Sequence, residues 1–182
     1  MARLSSRAFT LIELLIVVAI IGVLMAILVP ATGSVIESAR RAQAKNDVVQ
    51  IATALVGYET EYGHFPPSLG KGVFAVDRTL IDTLTGKSSD ANPKAITFLE
   101  VSGYKRGKSG TNETGDFVDP WALTDGKKAT VYYCAIDTGF DNKTIGGTDS
   151  QIVNKKVAVW NDPKLSTSDK AKQQRRAVTS WE

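Results

Sequence analysis

Between Phe9 and Val29 the chain reads FTLIELLIVVAIIGVLMAILV, twenty-one residues in which Glu13 carries the single charge. As a helix this run spans about 31 Å, the thickness of a bilayer's hydrocarbon core. Pro30 follows inside a pattern that continues as helix, so it predicts a kink rather than a terminus. Past Pro30 the polarity becomes one-sided. Val48, Ile51, Leu55, Tyr58 and Tyr62 recur three or four apart, while Arg40, Arg41, Lys45, Asp47 and Glu59 fall elsewhere around the turn. Gly63, Pro66 and Pro67 stop the pattern. The prediction is one helix of about fifty residues from Phe9 to near Tyr62, apolar all round in its first half and amphipathic in its second.

The remaining pattern is shorter in grain. Val73–Leu84 and Ala95–Val101 are mixed-apolar stretches separated by TGKSSDANP and followed by GYKRGKSGTNETGD, which read as loops around small elements. Thr130–Ile136 and Lys155–Trp160 have the β-branched and aromatic content of strands, with Val178–Trp181 as a short last one. An α+β fold follows: a long N-terminal helix, with a transmembrane half and an amphipathic half, packed on a small C-terminal antiparallel sheet. The divisions predicted are a leader at 1–8, a transmembrane helix at 9–30, an amphipathic helix at 31–63 and a globular head at 64–182. No internal repeat or long low-complexity tract interrupts them.

The segment before the apolar run, MARLSSRA, carries Arg3 and Arg7 and no acid, so the positive-inside rule holds it in the cytoplasm and sends the head across. An ordinary secretory signal shares a basic start and an apolar run. Here the small residue a peptidase would want, Ala8, precedes the run, so cleavage there leaves the hydrophobic helix on the mature chain. An acid at the start of that run is costly in hydrocarbon and calls for a partner.

Ala8-Phe9-Thr10-Leu11-Ile12-Glu13, with the apolar stretch to Pro30, resembles the class III signal of type IV pilins and type II secretion pseudopilins. The resemblance implies a prepilin peptidase that cuts between Ala8 and Phe9 and then methylates the new amine of Phe9. Family members usually have Gly where this chain has Ala8. The resemblance also gives Glu13 and Pro30 the places of the family's assembly acid and helix-breaking proline. Removal of the leader creates a cationic amine about one helical turn from Glu13, and pairing with a neighbouring subunit's amine relieves the desolvation cost only in the assembly. The implied setting is a bacterial inner-membrane protein with a cytoplasmic N-terminus and a periplasmic head, extracted into a helical homo-oligomer. Other pilins or pseudopilins and an inner-membrane assembly platform are its implied partners.

Charge and chemistry-bearing residues change this picture little. The formal net charge of +3 loses two positive charges with Arg3 and Arg7, a balance that gives a nucleic-acid partner no support. Cys134 is the single cysteine and His64 the single histidine, so no intramolecular disulfide and no Cys/His zinc set exist. Cys134, inside an apolar strand, reads as a core residue and His64 as a loop or packing residue. Nothing resembles a P-loop. The Asp119-Pro120-Trp121 run and the order of the last strands also resemble G-type major pseudopilins, which implies calcium in a C-terminal loop through Asp137, Asp141, Asn142 and Asp162. The spacing is not an EF-hand, and Gln173, Gln174, Arg175 and Arg176 stand where relatives tend to place acids, leaving solvated turn residues as the alternative reading.

The functional expectation is a structural, non-enzymatic subunit of a pilus-like filament, with the major pseudopilin of type II secretion preferred. A type IV pilin or minor pilin in adhesion, motility or DNA uptake is the alternative. A membrane-anchored extracytoplasmic binding module, whose first helix is only a tether, is the competitor from another class.

Overall fold

A threonine and a glutamate three residues apart open the long helix α1 (Leu11–Tyr62), a single 52-residue element whose assignment is unbroken at position 30. The computed structural model describes residues 9–103, 105, 108–121, 132–163 and 169–181, with the backbone alone for 27–32 and 175. The expected leader, Ala8 included, lies outside the described residues, as do Thr130, Val131 and the side chains of Pro30 and Arg175. The chain divides into two units, Met1–Ala39 and Arg40–Glu182, and α1 contributes to both.

In the first unit the described apolar side chains from Phe9 to Met25 are all exposed. Among the described residues no helix is long and apolar enough to cross a membrane. The described side chains of the expected span end at Ala26, and Ile27, Leu28, Val29 and Pro30 lie outside them.

In the second unit α1 buries one stripe. Ala44, Val48, Ile51, Leu55 and Tyr58 are buried and Tyr62 packs at their edge, the face that the three-and-four spacing marked. They meet a three-stranded antiparallel sheet in the order β1 (Phe74–Ala75), β4 (Tyr132–Ile136), β7 (Val157–Asn161). Phe74 pairs with Cys134, which pairs in turn with Val159. Period-two alternation sends Tyr132, Cys134, Ile136, Val157 and Val159 into the main core and Tyr133, Ala135, Ala158 and Trp160 to the opposite face.

Helix α2 (Arg78–Leu84) closes the main core with Leu80, Ile81 and Leu84. It starts where Asp77 accepts a hydrogen bond from the Leu80 N–H at 3.0 Å, and it ends before Gly86, whose φ of +80° favours glycine. A Cβ at Gly86 would also lie 2.8 Å from the Ala95 carbonyl oxygen. Between α2 and β4, strand β2 (Gly110–Thr111), inside the stretch expected as loop, pairs with β3 (Phe117–Val118) just past its end.

The opposite face of the main sheet is covered by the hairpin of β5 (Thr144–Gly146) and β6 (Gln151–Val153) and by Trp181. Gly146 has no room for a side chain, since a Cβ there would sit 2.7 Å from Val153 and 2.8 Å from the Trp181 ring. Helix α3 (Lys170–Arg176) begins at Asp169, whose carboxylate accepts from the Ala171 and Lys172 N–H groups.

The strand readings need three corrections. β7 starts at Val157 and not at Lys155, because Lys155 and Lys156 make the turn out of β6, with the Lys155 N–H bonded to the Val153 carbonyl. Val178–Trp181 lies beside β7 but is no ladder strand. The Val159 N–H donates to the Ser180 hydroxyl, and the Asn161 side chain accepts from the Val178 N–H, leaving one bridge between Trp160 and Thr179. The sheet's other neighbour is β1, hidden in Val73–Leu84, where two strand residues are too few to show a period.

Candidate assembly surface and the head's polar core

At the start of α1 the Thr10 N–H and hydroxyl both donate to Glu13 Oε2, at 2.9 and 2.8 Å, and the Glu13 N–H returns a bond to the Thr10 hydroxyl at 3.3 Å. This is a capping box, which satisfies donors that the first helical turn leaves without partners. The sequence spells it as Thr10-Leu11-Ile12-Glu13, which gives Glu13 a partner in its own chain besides the one expected from a neighbouring subunit. Phe9 is exposed beside it. The bond expected to be cut has Ala8 on one side and so lies outside the described residues. The helical backbone runs through Pro30.

In the head, the Asp119-Pro120-Trp121 run serves the interior. The buried Asp119 carboxylate accepts from the Trp121 N–H at 3.0 Å and from the Asn161 amide at 3.3 Å. Arg176 is buried as well, its guanidinium 5.6 Å from the centre of the Trp121 ring, a cation–π distance. The basic run that looked incompatible with a metal therefore places one of its members against the core. Nearby, Tyr132 donates to Asp47 Oδ2 at 2.7 Å. Burial raises the Asp47 carboxyl above the usual carboxylate value, while hydrogen bonds from Ser109 and Tyr132 oppose the rise. The Tyr132 phenol is held well above its ordinary range, by burial first and then by the charges of Asp47 and Asp119.

Of the oxygen donors expected for calcium, the three carboxylates line two different hollows. Asp137 and Asp141 line one, and Asp162 lines the other together with Asp149. Both oxygens of Asp137 are engaged by its own loop: Oδ1 accepts from the Gly139 N–H at 2.8 Å and Oδ2 from the Asn142 N–H at 2.7 Å. Burial pushes the Asp137 carboxyl upward, but backbone N–H groups of Asn142, Gly139, Phe140 and Asp141 outweigh it and leave the group below its ordinary value. Asp141 accepts from the Lys143 N–H. Among the described residues no group of three or more His, Cys, Asp or Glu side chains gathers for a metal.

Nor do the two nucleophile or base candidates sit in a reactive setting. The Cys134 thiol is pushed up to about 12, by burial first and by the charge of Asp77 second, which makes it inert at neutral pH. His64 packs against Tyr58 and Tyr62 with Nδ1 2.8 Å from the Phe65 carbonyl oxygen.

Comparison with known proteins speaks first to the class of the N-terminus: residues 3–29 match the prokaryotic N-terminal methylation motif. Residues 34–81 match a family described only as a protein of unknown function, DUF1559. Among curated proteins, the chain is 38% identical over 60 residues to type II secretion system core protein G of Escherichia coli K12, covering 33% of this chain and 41% of that protein. It is 39% identical over 66 residues to the core protein G of Pseudomonas aeruginosa, covering 36% of this chain and 46% of that one. The chain thus spans less than half the length of these relatives. No solved structure matches.

Proposed function

We propose that this chain is a structural, non-catalytic subunit of a type II secretion pseudopilus. The observation that carries the reading is the methylation motif at residues 3–29, with Glu13 in the first turn of α1 ahead of an exposed apolar run. The likeness to the two core G proteins supports the choice of a secretion filament over an adhesive pilus. In this reading a prepilin peptidase cuts before Phe9 and the apolar part of α1 holds the protein in the inner membrane, with the head on the periplasmic side. Assembly with further copies and other pseudopilins buries that apolar surface in a helical bundle, and open heterologous contacts extend it because the rotation does not close.

Glu13 is central to this mechanism. In the isolated chain its carboxylate is capped by Thr10, while in the filament it meets the cationic amine at Phe9 of the next subunit, the one partner that neutralises it in an apolar bundle. The test joins mass spectrometry of the mature N-terminus with a Glu13→Ala variant followed by filament sedimentation. A methylated Phe9 terminus and a near-complete loss of sedimenting polymer in the variant are expected. An intact residue 1, or a variant that polymerises normally, would sink the mechanism.

A further inference from the structure

The head presents two apolar surfaces that its own fold leaves uncovered, and they differ in shape. One protrudes. Ile145 and Ile152 are direct cross-strand partners on the outward face of the β5–β6 hairpin, and Ile152 is 75% exposed. Phe140, 87% exposed, tops the preceding loop, and Ile145 lines the same hollow as Gly139 and Asp141 of that loop. Phe140 has a φ of +58°, a left-handed conformation that a bulky side chain adopts only when its surroundings enforce it. Asp137 enforces it, because its carboxylate gathers the backbone N–H groups around Phe140. A phenylalanine held in a left-handed conformation and exposed to solvent contributes nothing to the core, which makes it a candidate for a contact outside this chain.

The other surface is concave. A hollow of about 370 Å³ runs along α1 and the edge of β7, floored by Val49, Ala52, Val56 and Val157 and rimmed by Lys155 and Lys156. Val49 and Val56 lie two helical turns apart on the α1 face that turns away from the core. Lys156 already pairs with Glu59 at 3.2 Å, whereas Lys155 has no ion pair among the described residues. Asp141, next to Phe140, likewise has none among them, with Lys143 set further toward β5.

We propose that the protruding surface around Phe140 docks into the Val49–Val56 hollow of a second copy of this chain, with Asp141 meeting Lys155. The inference rests on the filament reading and deepens it: an open polymer needs two different, complementary patches on every subunit, and these are a knob and a groove of matching character and opposite charge.

The test uses the full chain in membranes of cells that assemble the filament, with a short bismaleimide as crosslinker and the buried Cys134 left in place. Phe140→Cys and Val56→Cys, expressed together as separate subunits, should crosslink into a heterodimer, and the double variant into a ladder. Lys155→Glu should lower the crosslinked fraction severalfold, and Asp141→Lys should restore it. Dimers from Phe140→Cys alone, or crosslinks from it to another protein instead of to the Val56→Cys subunit, would overturn the docking pair. So would sedimenting polymer with no 140-to-56 crosslink, an outcome that leaves the filament reading intact. Absence of any polymer from the parent chain would remove both.

Discussion

Leu15 and Leu55 sit on the same helix in opposite surroundings. Leu15 is 58% exposed in a stretch where the described apolar side chains from Phe9 to Met25 are all exposed, and Leu55 is fully buried among α2 and the sheet. The side-chain chemistry is identical, so the difference lies in what the rest of the sequence supplies. The head carries its own cover and is stabilised by intramolecular burial, at roughly 25 cal/mol for each Å² of apolar surface removed from water. Among the described residues of the first unit, the apolar side chains from Phe9 to Met25 have no such cover. An exposed apolar run of this length is the surface that the proposed filament would bury, against lipid first and neighbouring helices after assembly.

Truncating both leucines would test that contrast most strongly. Leu55→Ala should destabilise the head by about 2–5 kcal/mol, the cost of lost transfer energy and a residual cavity. Leu15→Ala should leave the same transition within about 0.5 kcal/mol of the parent, as expected for a site away from the core. Urea unfolding of the detergent-solubilised chain, followed by the fluorescence of Trp121, Trp160 and Trp181, separates the two. Equal losses would mean that the helix is one cooperative unit with the head and that the division near Ala39 has no energetic meaning.

How far each region was legible follows from the length of its pattern. The stripe through Val48, Ile51, Leu55 and Tyr58 repeats often enough to fix both the helix and its buried face. β4 and β7 were visible because five-residue strands rich in Val, Tyr and Trp carry their own signal. The two-residue strands β1, β2 and β3 and the seven-residue helices α2 and α3 fall below the length at which a period appears. Their caps, Asp77 and Asp169, were the signs available. The site divides in the same way. The Thr10–Glu13 box is local and sits in plain text, whereas the grouping of Asp119, Asn161, Trp121 and Arg176 joins residues far apart in the chain, which no spacing rule connects.

A smaller effect sharpens the account of how the head covers both faces of its sheet. Gly146→Ala places a methyl group where Val153 and the Trp181 ring already stand, so the hairpin must lift from the sheet or Trp181 must move. Overpacking of this kind costs about 1–3 kcal/mol. The main core beneath the sheet should survive it. The near-ultraviolet circular dichroism of the tryptophans should change while the far-ultraviolet spectrum is retained; an unchanged melting temperature would show that the second layer contributes nothing to the head's stability.

The smallest expected effect contrasts two carboxylates inside the head. Asp137 is held below its ordinary value, so its stabilising contribution is present above the unfolded-state value near 4 and is lost as pH falls through the folded one. Asp47 is raised, so the sign reverses: its contribution is fully present below the unfolded-state value and is lost as pH rises through the folded one. Melting curves from pH 3 to 7 should therefore show Asp137→Asn flattening the acid limb, because the loop around Phe140 no longer gains from ionisation. Asp47→Asn should gain on the parent as pH rises, since an amide oxygen still accepts from Tyr132 without the cost of a buried charge. Parallel curves for Asp137→Asn and the parent would mean that the N–H groups gathered at Asp137 do not hold that loop, and would remove the physical reason for the exposed, left-handed Phe140.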